Sequence, residues 1–178
     1  VIAVDHNGNW LAPYADFIAD TLEFDDYLEH SSSYAQDMKE KNDLFLMIYL
    51  TKLKEYKFPG GGAKKNENLI NCLTREVLEE SGHYIERVIK QIGYIDQFHN
   101  DKQEDDKDFF MRSIYYECEV SDTCFELCLD EYELTLGFKP MWVSLDEAII
   151  TNEKRLENGS ENHWTERELF MLKYLKTV

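Results

Sequence analysis

"GGAKKNENLINCLTREVLEESGH", residues 61–83, is the stretch on which the fold turns. Glycine stands at both ends, and Leu69, Leu73 and Val77 recur between them every four residues, the spacing that stacks side chains along one face of an α-helix. The pattern predicts a helix over Glu67–Ser81, with Asn66 as its N-cap and Gly82 as its terminating glycine. Glu76, Glu79 and Glu80, spaced i, i+3 and i+4, fall within an arc of about 100° beside the apolar stripe. Such crowding costs an isolated helix about 0.2–0.5 kcal/mol per like-charged pair unless something positive collects the carboxylates. A hard divalent cation is the natural collector, because magnesium takes oxygen ligands and commonly bridges carboxylates to substrate phosphates. Arg75, one turn before Glu79, can reach that carboxylate and steady the array.

Immediately upstream lies "FPGGG", residues 58–62. Proline fixes one backbone angle and the glycines free the next, so the chain here can approach another group closely. A loop entering an acidic helix can offer a carbonyl to a cation or an amide to a phosphate. Before it, residues 44–53, "LFLMIYLTKL", read as a strand buried on both faces and capped by the glycine loop. "VIAV" at the start reads as a short strand running into a turn at Asn7–Gly8. Residues 14–43 are sparse in apolar positions and dense in acids, and Ser31, Ser32 and Ser33 mark a loop within them.

Downstream, residues 88–98 and 108–120 read as two strands joined by the acidic connection "HNDKQEDDK", and "PMWVSL" as a further strand. Ser144 with Glu147, and Thr165 with Glu168, have the spacing of capping boxes ahead of two more helices. Strands and helices therefore alternate around one core, an α/β pattern, with no repeat and no linker dividing residues 1–178.

With 178 residues, 43% of them apolar, the chain has the size of one domain with a substantial core. A formal charge of −17, from 36 acidic and 19 basic side chains, argues against nucleic acid or an anionic membrane as partner, since both need clustered lysine and arginine. A small phosphorylated ligand remains compatible if divalent cations stand between its phosphates and the carboxylates. Cys72, Cys118, Cys124 and Cys128 lack zinc-site spacing and read as reduced thiols. No stretch has the length of a membrane span or the form of a signal peptide, so a cytoplasmic protein is expected; a homodimer is left open.

Residues 61–83 resemble the Nudix box, Gx5Ex7REUxEExGU with U a bulky aliphatic. Gly61, Glu67, Arg75, Glu76, Val77, Glu79, Glu80 and Gly82 match in register, and His83 departs where an aliphatic is expected. The resemblance is strongest over residues 44–120 and extends to "GFKPMWVSLDEAI" at 137–149, whereas residues 1–43 follow it poorly and would be a family-specific elaboration. It implies an α/β/α sandwich with a mixed sheet between helices, and hydrolysis of a nucleoside diphosphate linked to another group. Carried over position by position, Glu76, Glu79, Glu80 and the Gly60 carbonyl would bind Mg2+ or Mn2+, while Glu67 and Arg75 order the site and Gly61 and Gly82 shape its ends.

Pyrophosphate hydrolysis needs the phosphate charge neutralised, a water acidified and a proton accepted. The acceptor is either a box glutamate or an acid from the loop "CLDEYELTLGF", which offers Glu131 and Glu133; Glu133 ranks slightly ahead of the box itself. Most other polar and aromatic side chains have ordinary roles: packing for Trp10, Trp142, Trp164, Tyr94 and Phe98, surface or capping for His83, His99 and His163, and solvation for Lys52, Lys54, Lys57 and Arg112. Two functions stand, a metal-dependent hydrolase and a Nudix-fold module that holds a nucleotide without cleaving it. The intact carboxylate set favours the first. Selectivity among nucleotide derivatives resides in the loops rather than in the box.

Overall fold

In the computed structural model, residues 2–5, 44–100, 108–159 and 163–178 are described. The turn at Asn7–Gly8, the loop at Ser31–Ser33, Trp10 and the acidic connection at 101–107 lie outside them. Among the described residues six strands and four helices follow in order: β1 (Ile2–Asp5), β2 (Leu44–Leu50), β3 (Glu55–Lys57), α1 (Leu69–Ser81), β4 (Ile85–Asn100), β5 (Asp108–Val120), α2 (Glu131–Leu136), β6 (Phe138–Ser144), α3 (Leu145–Glu157) and α4 (His163–Leu175). No helix among the described residues is long and apolar enough to cross a membrane.

The α/β class is as expected. Where the resemblance implies one mixed sheet, the described strands form two antiparallel sheets, ordered β1-β5-β4 and β3-β2-β6. Alternation along β5 explains why helices cover both of its faces. Tyr115 packs with Ile92 of β4 against Met171 and Leu175 of α4, while Tyr116, Cys118 and Val120 pack against Cys72, Leu73 and Val77 of α1. β2 is likewise buried on both sides at its centre: Met47 joins Val143, Ala148, Leu169 and Leu172, and its neighbour Ile48 joins Leu50 and Phe138. Truncating a side chain such as Leu172, which is completely buried, to alanine should cost about 2–5 kcal/mol.

Four boundaries differ from the sequence reading, each for a local physical reason. β2 stops at Leu50 because the chain turns through 51–54, with Lys54 at φ 59, and returns as β3; the glycine loop therefore follows β3. Helix α1 is capped by Asn68, whose side chain accepts from Ile70 N, because Asn66 sits at φ 65 and cannot supply the extended backbone of an N-cap. Residues 131–136, read as loop, form helix α2, opened by a capping box in which Asp130 and Glu133 each accept the other's backbone N–H at 2.8 Å. Helix α4 begins at His163, so Thr165 lies inside it; its hydroxyl donates to Glu55 Oε2 at 2.8 Å, and Glu168 accepts Phe58 N at 3.0 Å. Ser144, by contrast, caps α3 as expected, accepting from Glu147 N at 3.2 Å.

The outer edge of β3 is held by helix side chains. Asn152 of α3, fully buried, accepts Tyr56 N at 2.8 Å and donates to Tyr56 O at 2.9 Å. With Glu168 on Phe58 N, this fixes the backbone just before the glycine loop, and so sets where that loop meets α1.

Candidate active site

The glycine loop lies against the acidic face of α1. Gly60 has φ 149, a conformation side chains rarely adopt, and its N–H donates to Glu80 Oε2 at 2.8 Å. Gly61 is required for a different reason, since a Cβ there would stand 2.5 Å from Glu76 Oε2 and 2.6 Å from its Cδ. The loop thus admits two buried carboxylates to within contact of its backbone. Lys57, at the end of β3, donates to Glu80 Oε1 at 2.6 Å and to Gly60 O at 2.9 Å.

Arg75 organises the other side. Its fork donates to both oxygens of Glu67 at 2.8 Å, while Nη1 reaches Glu76 Oε1 at 2.5 Å and Glu79 Oε2 at 3.0 Å. Planar, bidentate geometry is what a guanidinium supplies and an ammonium cannot. Glu67 also accepts Lys64 N at 2.8 Å, which pins the segment between the glycine loop and α1.

Charge responds to this setting. Hydrogen bonding from Arg75 holds the Glu67 carboxyl down at about 2, and the Arg75 guanidinium is raised in turn by the carboxylates around it. Burial pushes the Glu80 carboxyl up to about 7, although Lys57 and Gly60 N–H pull the other way. Glu76 is raised by the same desolvation, with Arg75 opposing it. Desolvation thus works against the charge on both buried carboxylates, and the cations beside them, Lys57 and Arg75, offset it.

Of the residues singled out from the sequence, Glu76, Glu80 and Glu133 come together: each offers a carboxylate oxygen, all within 4.8 Å of one another. Such a set of hard oxygen donors, with the Gly60 carbonyl beside Glu80, fits magnesium or manganese better than a softer metal. Glu79 is a third exposed and turned to Arg75. Glu131, in the first turn of α2, is exposed and lies outside this set. Glu133 is delivered from α2 because the segment before it is tied to the end of α1, with Phe125 N donating to Gly82 O at 2.7 Å and Cys128 N to Glu79 O at 2.9 Å. Gly82 is the C-cap at φ 74, where a Cβ would stand 2.4 Å from Phe125 O. His83 absorbs its departure from the box pattern: it is buried, with Nδ1 2.7 Å from Ser121 O and its ring edge-on to Trp142 at 6.0 Å. Trp164 donates Nε1 to Glu55 at 2.7 Å and is structural. Lys57 is the residue that the sequence reading undervalued. Its place one residue before "FPGGG" was the available signal.

A family model described as NUDIX domain matches residues 36–165, the span that holds the glycine loop, the carboxylate helix, both long strands and the segment carrying Glu133. No curated protein matches the chain. With most of its length under that match and the box assembled in space, the chain belongs to the NUDIX family.

Proposed function

We propose that this protein is a divalent-metal-dependent pyrophosphohydrolase acting on a nucleoside diphosphate joined to another group. The observation that carries the reading is the convergence of Glu76, Glu80 and Glu133 against the backbone of Gly60 and Gly61. Glu76, Glu79, Glu80 and the Gly60 carbonyl would hold Mg2+ or Mn2+. Bound there, the cations supply neutralisation of the phosphate oxygens and acidification of a water.

The chain's own side chains do the rest. Glu133 accepts the proton from the attacking water; the N–H of Asp130 on its Oε2 at 2.8 Å fixes its orientation. Arg75 keeps Glu67, Glu76 and Glu79 in one arrangement, so the site is preorganised rather than assembled by the substrate. Burial of Glu76 and Glu80 lowers the local dielectric and strengthens every charge interaction at the centre. A binding module would not need this complete set, which is why the hydrolase reading is preferred over a non-catalytic one.

The test is a panel of nucleoside triphosphates, sugar nucleotides, dinucleoside polyphosphates and ADP-ribose, incubated with Mg2+ or Mn2+ and resolved by product. Cleavage of a phosphoanhydride bond in at least one, abolished reversibly by chelation, is expected. Tight binding of a panel member without turnover would favour the binding module instead, and full activity after exhaustive metal removal would refute metal dependence.

A further inference from the structure

The ammonium of Lys57 bridges two oxygens at once, Glu80 Oε1 at 2.6 Å and Gly60 O at 2.9 Å. These are the same two residues that the metal reading assigns as ligands. The lysine is no loosely solvated surface chain: its side chain is 15% exposed, and Nζ lies 4.8 Å from the centre of the Phe138 ring. Its backbone is fixed on both edges, by pairing of β3 with β2 at Lys57–Ile48 and by Glu168 on Phe58 N. The fold therefore delivers a positive charge to one defined position, between a carbonyl and a carboxylate.

We propose that Lys57 is a built-in counter-cation that a divalent ion must displace from Glu80 and Gly60, so that this lysine sets the metal affinity of the site. The inference rests on the metal reading above. A divalent ion and an ammonium held on the same Glu80 oxygen and the same Gly60 carbonyl repel each other strongly, so the two compete for that position. An ammonium with three donors can satisfy a carbonyl and a carboxylate together, holding them close while no metal does so. Its four-carbon stem then lets the charge turn away without moving β3. The arrangement protects a buried carboxylate at the cost of weaker metal binding.

Mn2+ binding by electron paramagnetic resonance, with thermal unfolding of chelated and Mn2+-loaded protein, tests this on the full chain without substrate. In Lys57→Met the competitor is gone, so the Mn2+ dissociation constant should fall about tenfold or more. The chelated variant should melt below chelated wild type, because Glu80 loses its partner, and its Mn2+-induced rise in Tm should exceed that of wild type. A purely structural lysine would lower stability and leave metal affinity unchanged or weakened; that result overturns the proposal. Lys57→Gln, whose amide can still donate to Gly60 O, gives the same reading if the methionine variant does not fold. Wild type that binds no Mn2+ would overturn the metal reading as well, whereas wild type that binds with both variants unchanged overturns only the role of Lys57. Without any variant, the hydrogen-bonded Lys57 ammonium signal seen by NMR in chelated protein should disappear as Mg2+ is added, and its persistence at saturation would equally refute displacement.

Discussion

Gly61→Ala is the sharpest probe of the loop–helix contact. The new methyl carbon would stand 2.5 Å from Glu76 Oε2 and 2.6 Å from Cδ, against a normal carbon contact of about 3.5 Å, so the carboxylate must retreat by about 1 Å. Little room exists for that, since Glu76 is buried and its other oxygen is 2.5 Å from Arg75 Nη1. The backbone is not the obstacle, because Gly61 is outside the left-handed region. Lost chain entropy in the unfolded state stabilises the alanine variant by about 0.4–1 kcal/mol, and loosening one charged hydrogen bond costs about 1.5–3, so net stability should fall by about 0.5–2.6 kcal/mol. Catalysis is far more sensitive: misplacing a reacting group by about 1 Å costs on the order of a hundredfold, or about 2.7 kcal/mol in the barrier. The assay is kcat/KM on the best panel substrate beside urea unfolding. Gly93→Ala serves as control, since nothing lies within 4 Å of a Cβ at that position, and it should leave kcat/KM unchanged. A folded Gly61→Ala protein with near wild-type kcat/KM would refute the argument that Glu76 must occupy that space.

Glu80→Gln should retain the fold yet lose at least about a hundredfold in kcat/KM, as expected for one lost electrostatic contact in the transition state; near wild-type turnover would remove Glu80 from the site. In chelated wild type the Glu80 carboxyl is raised from its ordinary 4.5 to about 7, so the folded state binds the proton more tightly and stability should fall as pH rises across that window. Glu80→Gln should flatten that slope, leaving the part due to Glu76, and an unchanged slope in denaturant midpoints would contradict the assignment. Glu67 works in the opposite sense and a lower window: its carboxyl is held at about 2, so its stabilisation is complete above 4.5 and is lost as pH falls toward 2. Glu133→Gln keeps an acceptor for Asp130 N and hence the cap of α2, but should lower kcat by on the order of a hundredfold or more; wild-type turnover would return the proton-accepting role to α1.

Helix α1 was legible because periodicity, capping residues and the terminating glycine all agree within 15 residues of sequence, and only the choice between Asn66 and Asn68 needed a backbone angle to decide it. Glu133 could be picked out as an acid near the site, but the six residues of α2 are too few for periodicity to show. Thr165 and Glu168 carry the spacing of a local cap; their partners, Glu55 and Phe58, are each 110 residues away, and no local pattern encodes such a contact. The division of the strands into two sheets is equally a matter of long-range pairing.

The grip of Asn152 on Tyr56 has a consequence for solubility. A short strand at the margin of a sheet offers backbone donors and acceptors on which a strand from another molecule can template. Here Asn152 engages both the N–H and the C=O of Tyr56, and Glu168 takes the N–H of Phe58, so two helix side chains impersonate the missing neighbour strand. A small residue at position 152 would expose that margin, making the protein prone to edge-to-edge self-association before it loses its fold.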